Sequence, residues 1–205
     1  MASNEQPERE KERQEYFLRL LLPVRNRLVH FARAMTHNRE EADDLVSDTI
    51  LAALERFDDL KVPSAFLSYL FTIAARLHKR RRWRARIFGG YDEDYAGNIP
   101  AQGSAPDISA DVAMLYQALD QLPERQRETV VLFEISDLPL EEIRRIQGGS
   151  LSGVKSRLVR GRARLARILN ATDHSSPGFA VEGTGSARRR DGRPLLIYSE
   201  SQSNG

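Results

Sequence analysis

The chain contains no cysteine among its 205 residues. Disulfides, thiolate metal sites and a catalytic thiol are therefore excluded. No stretch approaches the roughly eighteen uninterrupted apolar residues that a membrane span requires. Residues 1–16 hold no apolar run ahead of a cleavage site. These absences predict a cytoplasmic protein that has no membrane span and uses no thiol chemistry.

Signatures of catalysis are also missing. The four histidines, His30, His37, His78 and His174, lack the spacing of metal ligands. The sequence has no phosphate-binding loop, and no serine sits in a nucleophile elbow. The chain is therefore predicted not to be an enzyme and to need no metal or other cofactor.

Charge is nearly balanced, with a net value of +2, but it is sorted along the chain. Residues 39–59 carry eight acidic side chains against two arginines. Residues 76–86 carry seven Lys/Arg and residues 143–172 carry eight, in both cases without an acid. Separate acidic and basic surfaces are expected, so the distribution of charge says more about partners than its sum.

Apolar residues recur at three- and four-residue steps, which predicts helices at 16–35, 39–57 and 65–84 in the first half of the chain. Pro23 is expected to kink the first helix. In the second half the pattern predicts helices at 108–121, 123–136, 140–147 and 151–169.

Composition divides the chain into segments. Residues 89–107 are rich in Gly, Pro, Ala and acids without helical periodicity, which is typical of a linker. We therefore expect an all-α protein in which two small helical domains, 15–88 and 108–170, are joined by a flexible linker, 89–107. The N-terminus, 1–14, and the tail, 171–205, are expected to be disordered.

The segment 140–169 has the pattern of a helix-turn-helix: a short helix, a break at Gly148-Gly149-Ser150, and a long helix. In that motif the second helix lies in the major groove, where Lys, Arg and Ser contact phosphates and base edges. An ordinary helical hairpin with a solvated basic face is the alternative. The candidate DNA-binding residues are Ser150, Ser152, Gly153, Lys155, Ser156, Arg157 and Arg160.

A second candidate surface combines cations with aromatic side chains on the helix predicted at 65–84. Basic side chains follow a phosphate backbone, and aromatic rings stack on unpaired bases. The alternative places Tyr69 and Phe71 in the core and leaves the cations solvated. The candidate residues are Tyr69, Phe71, Arg76, Lys79, Arg80, Arg81, Arg82, Trp83 and Arg84.

The acidic helix supplies a third candidate surface, which either docks on a basic protein or has no partner. Its residues are Asp43, Asp44, Leu45, Val46, Ser47 and Asp48.

The order of these three signals resembles one family. The segment NREEADDLVSDTILAALERFDDL is similar to the polymerase-docking helix of sigma-70 factors, and FLSYLFTIAARLHKRRRWR is similar to their promoter-melting helix. The run LPERQRE followed by EEI and VKSRL closely resembles their C-terminal DNA-reading domain. Two such domains with only a short linker between them are the layout of the extracytoplasmic-function (ECF) subfamily.

The resemblance implies a sigma factor that directs core RNA polymerase to specific promoters and assists promoter opening. It implies that Asp44, Leu45 and Val46 engage the polymerase clamp and that the helix from Tyr69 to Arg84 binds the minus-ten element as it melts. Residues Ser152 to Arg160 would read the minus-thirty-five element. Core RNA polymerase, promoter DNA and an anti-sigma factor are the implied partners.

Several positions depart from the family pattern. Ser47 replaces a usual glutamine, and Gln147 and Gly149 stand where apolar residues are preferred. Two other readings remain: a sigma-like protein that binds polymerase or an anti-sigma factor without directing transcription, and a dimeric helix-turn-helix regulator. The acidic and basic-aromatic helices have no role in the dimeric regulator.

Overall fold

The computed structural model describes residues 5–87 and 109–173. Within these ranges the regular structure is helical and contains no strand, as the sequence predicted. The α-helices are α1 (Glu5–Leu21), α2 (Arg25–Met35), α3 (Arg39–Glu55), α4 (Phe66–Ile87), α5 (Ala110–Asp120), α6 (Glu124–Val130), α7 (Leu140–Gln147) and α8 (Leu151–Asp173).

At Pro23, where a kink is expected, the α-helical hydrogen bonding is interrupted. Leu22–Val24 form one 3-10 turn between α1 and α2, because proline removes a backbone donor and its ring clashes with the preceding turn. Helix α1 begins at Glu5, ten residues before the predicted domain boundary. Arg13 anchors this early part, since it donates to the Asp58 carboxylate at 3.1 Å and to the Leu54 carbonyl at 2.6 Å.

Aromatic rings fill the centre of the α1–α4 group. The Phe17 ring makes edge contacts with Phe57 at 5.2 Å and Phe66 at 5.6 Å, and Phe31 makes one with Phe71 at 5.4 Å between centroids. Edge-to-face geometry suits the charge distribution of aromatic rings. All five rings are buried, so they position α3 and α4 against the first two helices.

Helices α3 and α7 start differently. The Asn38 side chain accepts from the Glu41 backbone N–H at 2.8 Å and donates to the Glu41 carboxylate, a reciprocal cap that starts α3. Pro139 precedes α7 and provides no side-chain cap. Acidic residues Glu141 and Glu142 occupy the first turn of α7, where the helix dipole favours negative charge.

The C-terminal group contains α5 to α8. Helix α6 continues as a π-helical segment, Val131–Ile135, and the chain then reverses at Asp137, whose φ of 55° is in the left-handed region. Gly148 and Gly149 have φ values of 74° and 84°. Glycine adopts these angles without strain, so the two glycines provide the backbone conformation that this turn needs.

Helix α8 passes close to α6 at Gly161. A Cβ atom added there would lie 2.7 Å from Val130 Cγ2 and 3.3 Å from the Gln126 carbonyl oxygen. Only a residue without a side chain permits this approach. The crossing fixes the long helix against the α6 layer.

The two helical groups pack on each other within one compact unit that extends to Ala171. Helix α2 contacts α5 and the π-helical segment, and α4 contacts α7. The linker predicted at 89–107 lies outside the described residues, as does the predicted tail beyond Asp173.

Candidate nucleic-acid and protein interfaces

One face of α3 forms an exposed acidic ridge, which consists of Asp43, Asp44, Ser47, Asp48 and Leu51. Its members are spaced at one, three and four residues, so they share one side of the helix. Leu45 and Val46 point the other way and are buried in the core. They support the ridge from within, whereas the sequence prediction had placed them among the contact residues.

The sequence prediction did not include Leu51. Its side chain is 57% exposed at the C-terminal end of the acidic ridge. The sequence does carry a signal for this exposure, because Leu51 falls outside the stripe of apolar positions that α3 turns toward the core. The ridge therefore joins carboxylates to an apolar anchor, a combination suited to a protein partner.

Ser47 is exposed, and its hydroxyl donates to the Asp43 carbonyl at 2.9 Å. The side chain is turned back on its own helix. Ser47 therefore presents no long polar group at the middle of the acidic ridge.

The cationic end of α4 presents a basic stripe, defined here by five exposed residues: Arg76, Lys79, Arg80, Trp83 and Arg84. They recur at three- and four-residue steps and therefore lie along one side of the helix. Trp83 is 58% exposed, which leaves its ring available for stacking. Cations that flank an exposed aromatic ring suit single-stranded nucleic acid.

Arg81 and Arg82 have other contacts. Arg81 Nη2 lies 2.5 Å from Asp48 Oδ2, joining α4 to the acidic ridge. Arg82 Nη1 lies 3.6 Å from Glu124 Oε2 in α6. Both are half-buried, so the two predicted contact residues hold helices together in this arrangement.

The two other predicted aromatic residues face inward. Phe71 is fully buried against Phe31, so it cannot stack on a base in this fold. The Tyr69 hydroxyl lies 2.9 Å from the Ala53 carbonyl and 2.8 Å from that of Arg56, which ties α4 to the end of α3. Burial raises the pKa of Tyr69. These positions agree with the alternative in which Tyr69 and Phe71 belong to the core.

The start of α8 presents a compact polar surface. Ser150 accepts from the Gly153 backbone N–H at 3.1 Å and caps the helix, while Gly153 itself is half-buried. The exposed polar side chains of the first three turns are Ser152, Lys155, Ser156 and Arg160, and Val159 is also exposed. Val154 and Leu158 are buried on the opposite side. An amphipathic helix with a Ser/Lys/Arg outer face fits a DNA groove.

Arg157 differs from its neighbours on α8. Its Nε donates to Gln147 Oε1 at 3.0 Å, across the turn in α7. Burial lowers the pKa of the guanidinium. The structure therefore places Arg157 inward and brings Ser152, Lys155 and Ser156 outward.

Histidines line the contact between the two helical groups. His30 Nδ1 and the Tyr116 hydroxyl share a hydrogen bond of 3.0 Å, and His37 Nδ1 lies 3.8 Å from Asp120 Oδ1. His78 is buried, and its pKa is lowered to about 3 by burial and by nearby Arg127 and Arg82. The imidazole is thus held neutral beneath the basic stripe.

Within residues 5–87 and 109–173, every helix is too short or too polar to span a bilayer. No group of three or more His or acidic side chains in that part of the chain could hold a metal ion.

Comparison with known proteins follows the same division. The family model for region 2 of sigma-70 matches residues 14–86, and that for region 4 matches residues 113–165. The chain is 34% identical over 142 residues to the ECF RNA polymerase sigma factor EcfG of Rhodopseudomonas palustris, covering 68% of this chain and 77% of that protein. It is 30% identical to the sigma factor CnrH of Cupriavidus metallidurans, covering 70% and 81%.

Solved structures give the same result. The sigma factor RpoE in its complex with the anti-sigma factor NepR from Bartonella quintana superposes with a TM-score of 0.63 at 30% identity, covering 76% of this chain and 98% of RpoE. CnrH in complex with the cytosolic domain of CnrY gives a TM-score of 0.57 at 26% identity, covering 77% and 90%. With both sigma-70 regions present in order on an all-helical fold, the chain belongs to the ECF subfamily of sigma-70 factors.

Proposed function

We propose that this chain acts without catalysis, in the cytoplasm, by bringing core RNA polymerase to a set of promoters and assisting their opening. One observation carries the proposal: an acidic ridge with an apolar end and a basic stripe with an exposed tryptophan lie on adjacent helices of one domain. Arg81 and Asp48 join those helices directly. A surface for a protein next to a surface for unpaired DNA is what promoter opening by a polymerase subunit requires.

The acidic ridge is the docking surface in this proposal. Carboxylates at its centre attract a basic partner over distance, and Leu51 supplies apolar area once contact is made. The basic stripe then lies beside the DNA strand that leaves the duplex. Trp83 stacks on a base there, and the surrounding cations neutralise phosphates.

The exposed face at the start of α8 reads the minus-thirty-five element. Lys155 and Arg160 contact phosphates or guanine, while Ser152 and Ser156 reach base edges or phosphates. The fold supports this role because Val154 and Leu158 fix the opposite side of α8 in the core.

Contacting both promoter elements requires the two helical groups to separate. Elements centred near positions minus ten and minus thirty-five are about 25 base pairs apart, or about 85 Å at a rise of about 3.4 Å per base pair. A compact unit of about 150 residues has a radius of gyration of only about 15 Å. The closed arrangement, in which the two helical groups pack on each other, is therefore an inactive state that core polymerase opens.

An anti-sigma protein is the proposed regulator. RpoE and CnrH were each solved bound to a protein partner, NepR in the first case and CnrY in the second. Such a partner would keep the chain from polymerase by covering the acidic ridge or stabilising the closed form.

Run-off transcription tests the proposed function. Purified core polymerase is assayed with and without this protein on a library of candidate promoters. Transcripts that start at defined sites only when the protein is present are expected. If the protein binds polymerase but yields no new start sites, the sigma-like regulator that does not direct transcription is the better reading. If the protein binds promoter DNA as a dimer and never binds polymerase, it is better explained as a dimeric helix-turn-helix regulator.

A further inference from the structure

Gln147, the last residue of α7, joins an acidic residue to a basic one. Its Nε2 donates to Glu128 Oε2 at 2.8 Å, and its Oε1 accepts from Arg157 Nε at 3.0 Å. The same amide also accepts from the Thr129 hydroxyl at 3.0 Å and donates to the Arg125 carbonyl at 3.3 Å. Four hydrogen bonds fix its orientation.

The chemistry of the amide explains why this position is polar. A carboxylate needs a donor and a guanidinium needs an acceptor, and a primary amide supplies both. Leucine would supply neither. Glutamate would accept from Arg157 but would place a second carboxylate beside Glu128. Gln147 thus replaces an apolar contact with a relay between Glu128 and Arg157.

The relay holds the partly buried Arg157 guanidinium against α7. Arg157 Nη2 is enclosed by protein and has no hydrogen-bond partner among the described residues. Glu128 is half-buried, and burial raises its pKa, while the Gln147 hydrogen bond acts in the opposite direction. A bidentate contact with guanine needs the fork of the guanidinium to be free and pointing outward. The guanidinium offers two forks, Nη1 with Nη2 and Nε with Nη2, and both include the enclosed Nη2. Arg157 would therefore have to turn away from Gln147 to make such a contact.

We propose that Gln147 is a specificity-determining residue that keeps Arg157 away from DNA. The inference rests on the proposed function, since it concerns how the minus-thirty-five element is selected. Arg157 is then a positioning residue that ties the recognition helix to α6 and α7. Base and phosphate contacts fall to the exposed residues Ser152, Lys155, Ser156 and Arg160.

The first test measures base preference. Core polymerase carrying the parent protein or the Arg157→Ala variant selects from a library randomised across the upstream element, and bound DNA is sequenced. The rank order of bases should be the same at every position, with any loss of binding spread evenly over all sequences. Loss of preference at one base would overturn the proposal. Arg160→Ala, an exposed cation one turn further along α8, is the matched control and should reduce the salt dependence of binding.

The second test releases Arg157. Glu128→Leu combined with Gln147→Leu removes both polar partners, and replacing buried polar or charged pairs by apolar residues of similar size is often tolerated. Thr129 keeps its 2.7 Å bond to the Arg125 carbonyl. The released protein should gain about a tenfold preference for guanine at one position. Adding Arg157→Ala should abolish that gain.

A released protein with the parent's base preference would contradict the proposal. Circular dichroism establishes that the double variant folds, and if it does not, the Arg157→Ala profile decides alone. The two proposals fail in different ways. If the parent holoenzyme shows no base preference in the upstream element, the proposed function is wrong. If the parent shows a preference and Arg157→Ala shifts it, only the role assigned to Gln147 is wrong.

Discussion

His78 Nε2 in α4 lies 4.0 Å from Glu124 Oε1 in α6, with the imidazole almost completely buried between the two helical groups. This Nε2 atom makes no hydrogen bond among the described residues. The Arg82 guanidinium reaches the same carboxylate from the next turn of α4. Closure of the molecule is therefore linked to the protonation of a buried histidine.

Acidification should open the molecule. The pKa of His78 is lowered from 6.5 to about 3 in the closed form, because burial and the charges of Arg127 and Arg82 disfavour imidazolium. An open or unfolded chain binds that proton below about pH 6.5 and the closed form does not. Closure therefore loses stability as pH falls through that value toward 3, by up to about 1.4 kcal/mol per pH unit.

Small-angle scattering between pH 8 and pH 5 measures this effect. The radius of gyration should rise as pH falls in the parent, and His78→Gln, which cannot take up the proton, should weaken that rise. His37, the other histidine facing this cluster, is changed to Gln as a matched control. A radius that is constant over the range would rule out a histidine-linked closure.

The basic stripe should govern promoter opening. Changing Arg76, Arg80 and Arg84 together to alanine removes three exposed cations without touching the paired Arg81 and Arg82. Open-complex formation should fall, and the slope of log binding constant against log salt should decrease by about 0.7 for each lost phosphate contact. Arg25→Ala, an exposed cation on α2, should leave the slope unchanged. Equal slopes for parent and triple variant would remove the stripe from the DNA contact.

Trp83 should be the aromatic residue that matters for melting. Trp83→Ala removes an exposed ring and should reduce open-complex formation about fivefold or more, since stacking on one base contributes about 1–3 kcal/mol. Trp83→Phe should recover part of the loss because it keeps a ring. Thermal unfolding of the isolated protein should change little in both variants. Normal opening by Trp83→Ala would exclude this role.

Gly161→Ala should destabilise the C-terminal helices. The added methyl meets Val130 Cγ2, and overpacking of this kind costs about 1–3 kcal/mol, more than the roughly 1 kcal/mol that alanine gains over glycine in a helix. Chemical denaturation of parent and variant gives the difference. In a Val130→Ala background, where the clashing methyl is absent, the same substitution should cost less. The same cost in both backgrounds would show that the crossing is not the cause.

Local signals in the sequence were sufficient to predict the helices of the helix-turn-helix. Helix α7 has the predicted bounds, and α8 begins at Leu151 as predicted, because periodicity, Gly148 and Ser150 act within a few residues. At the N-terminus the sequence predicts a helix only from residue 16, whereas α1 begins at Glu5. The anchoring of α1 depends on Arg13 reaching Asp58, 45 residues away, and no local pattern carries such a contact.

Surface roles were harder to predict, because a charge run does not say which of its members are paired. Arg81 and Arg82 look like their neighbours in the sequence, yet their partners Asp48 and Glu124 come from elsewhere in the chain. Phe71 likewise shares a helix with the basic stripe, but its position on that helix points it into the core. Helical spacing alone could have separated Trp83 from Phe71.

Binding to core polymerase is the step on which the proposed function depends. Labelled protein is titrated with purified core enzyme and followed by fluorescence anisotropy, comparing the parent with Asp44→Lys and Leu51→Asp on the acidic ridge. Saturable binding that each ridge substitution weakens about tenfold, or about 1.4 kcal/mol, is expected. Glu15→Lys, which makes the same charge change on α1, should bind like the parent. A parent protein that fails to bind core enzyme at any pH or salt concentration would show that the chain does not act through polymerase.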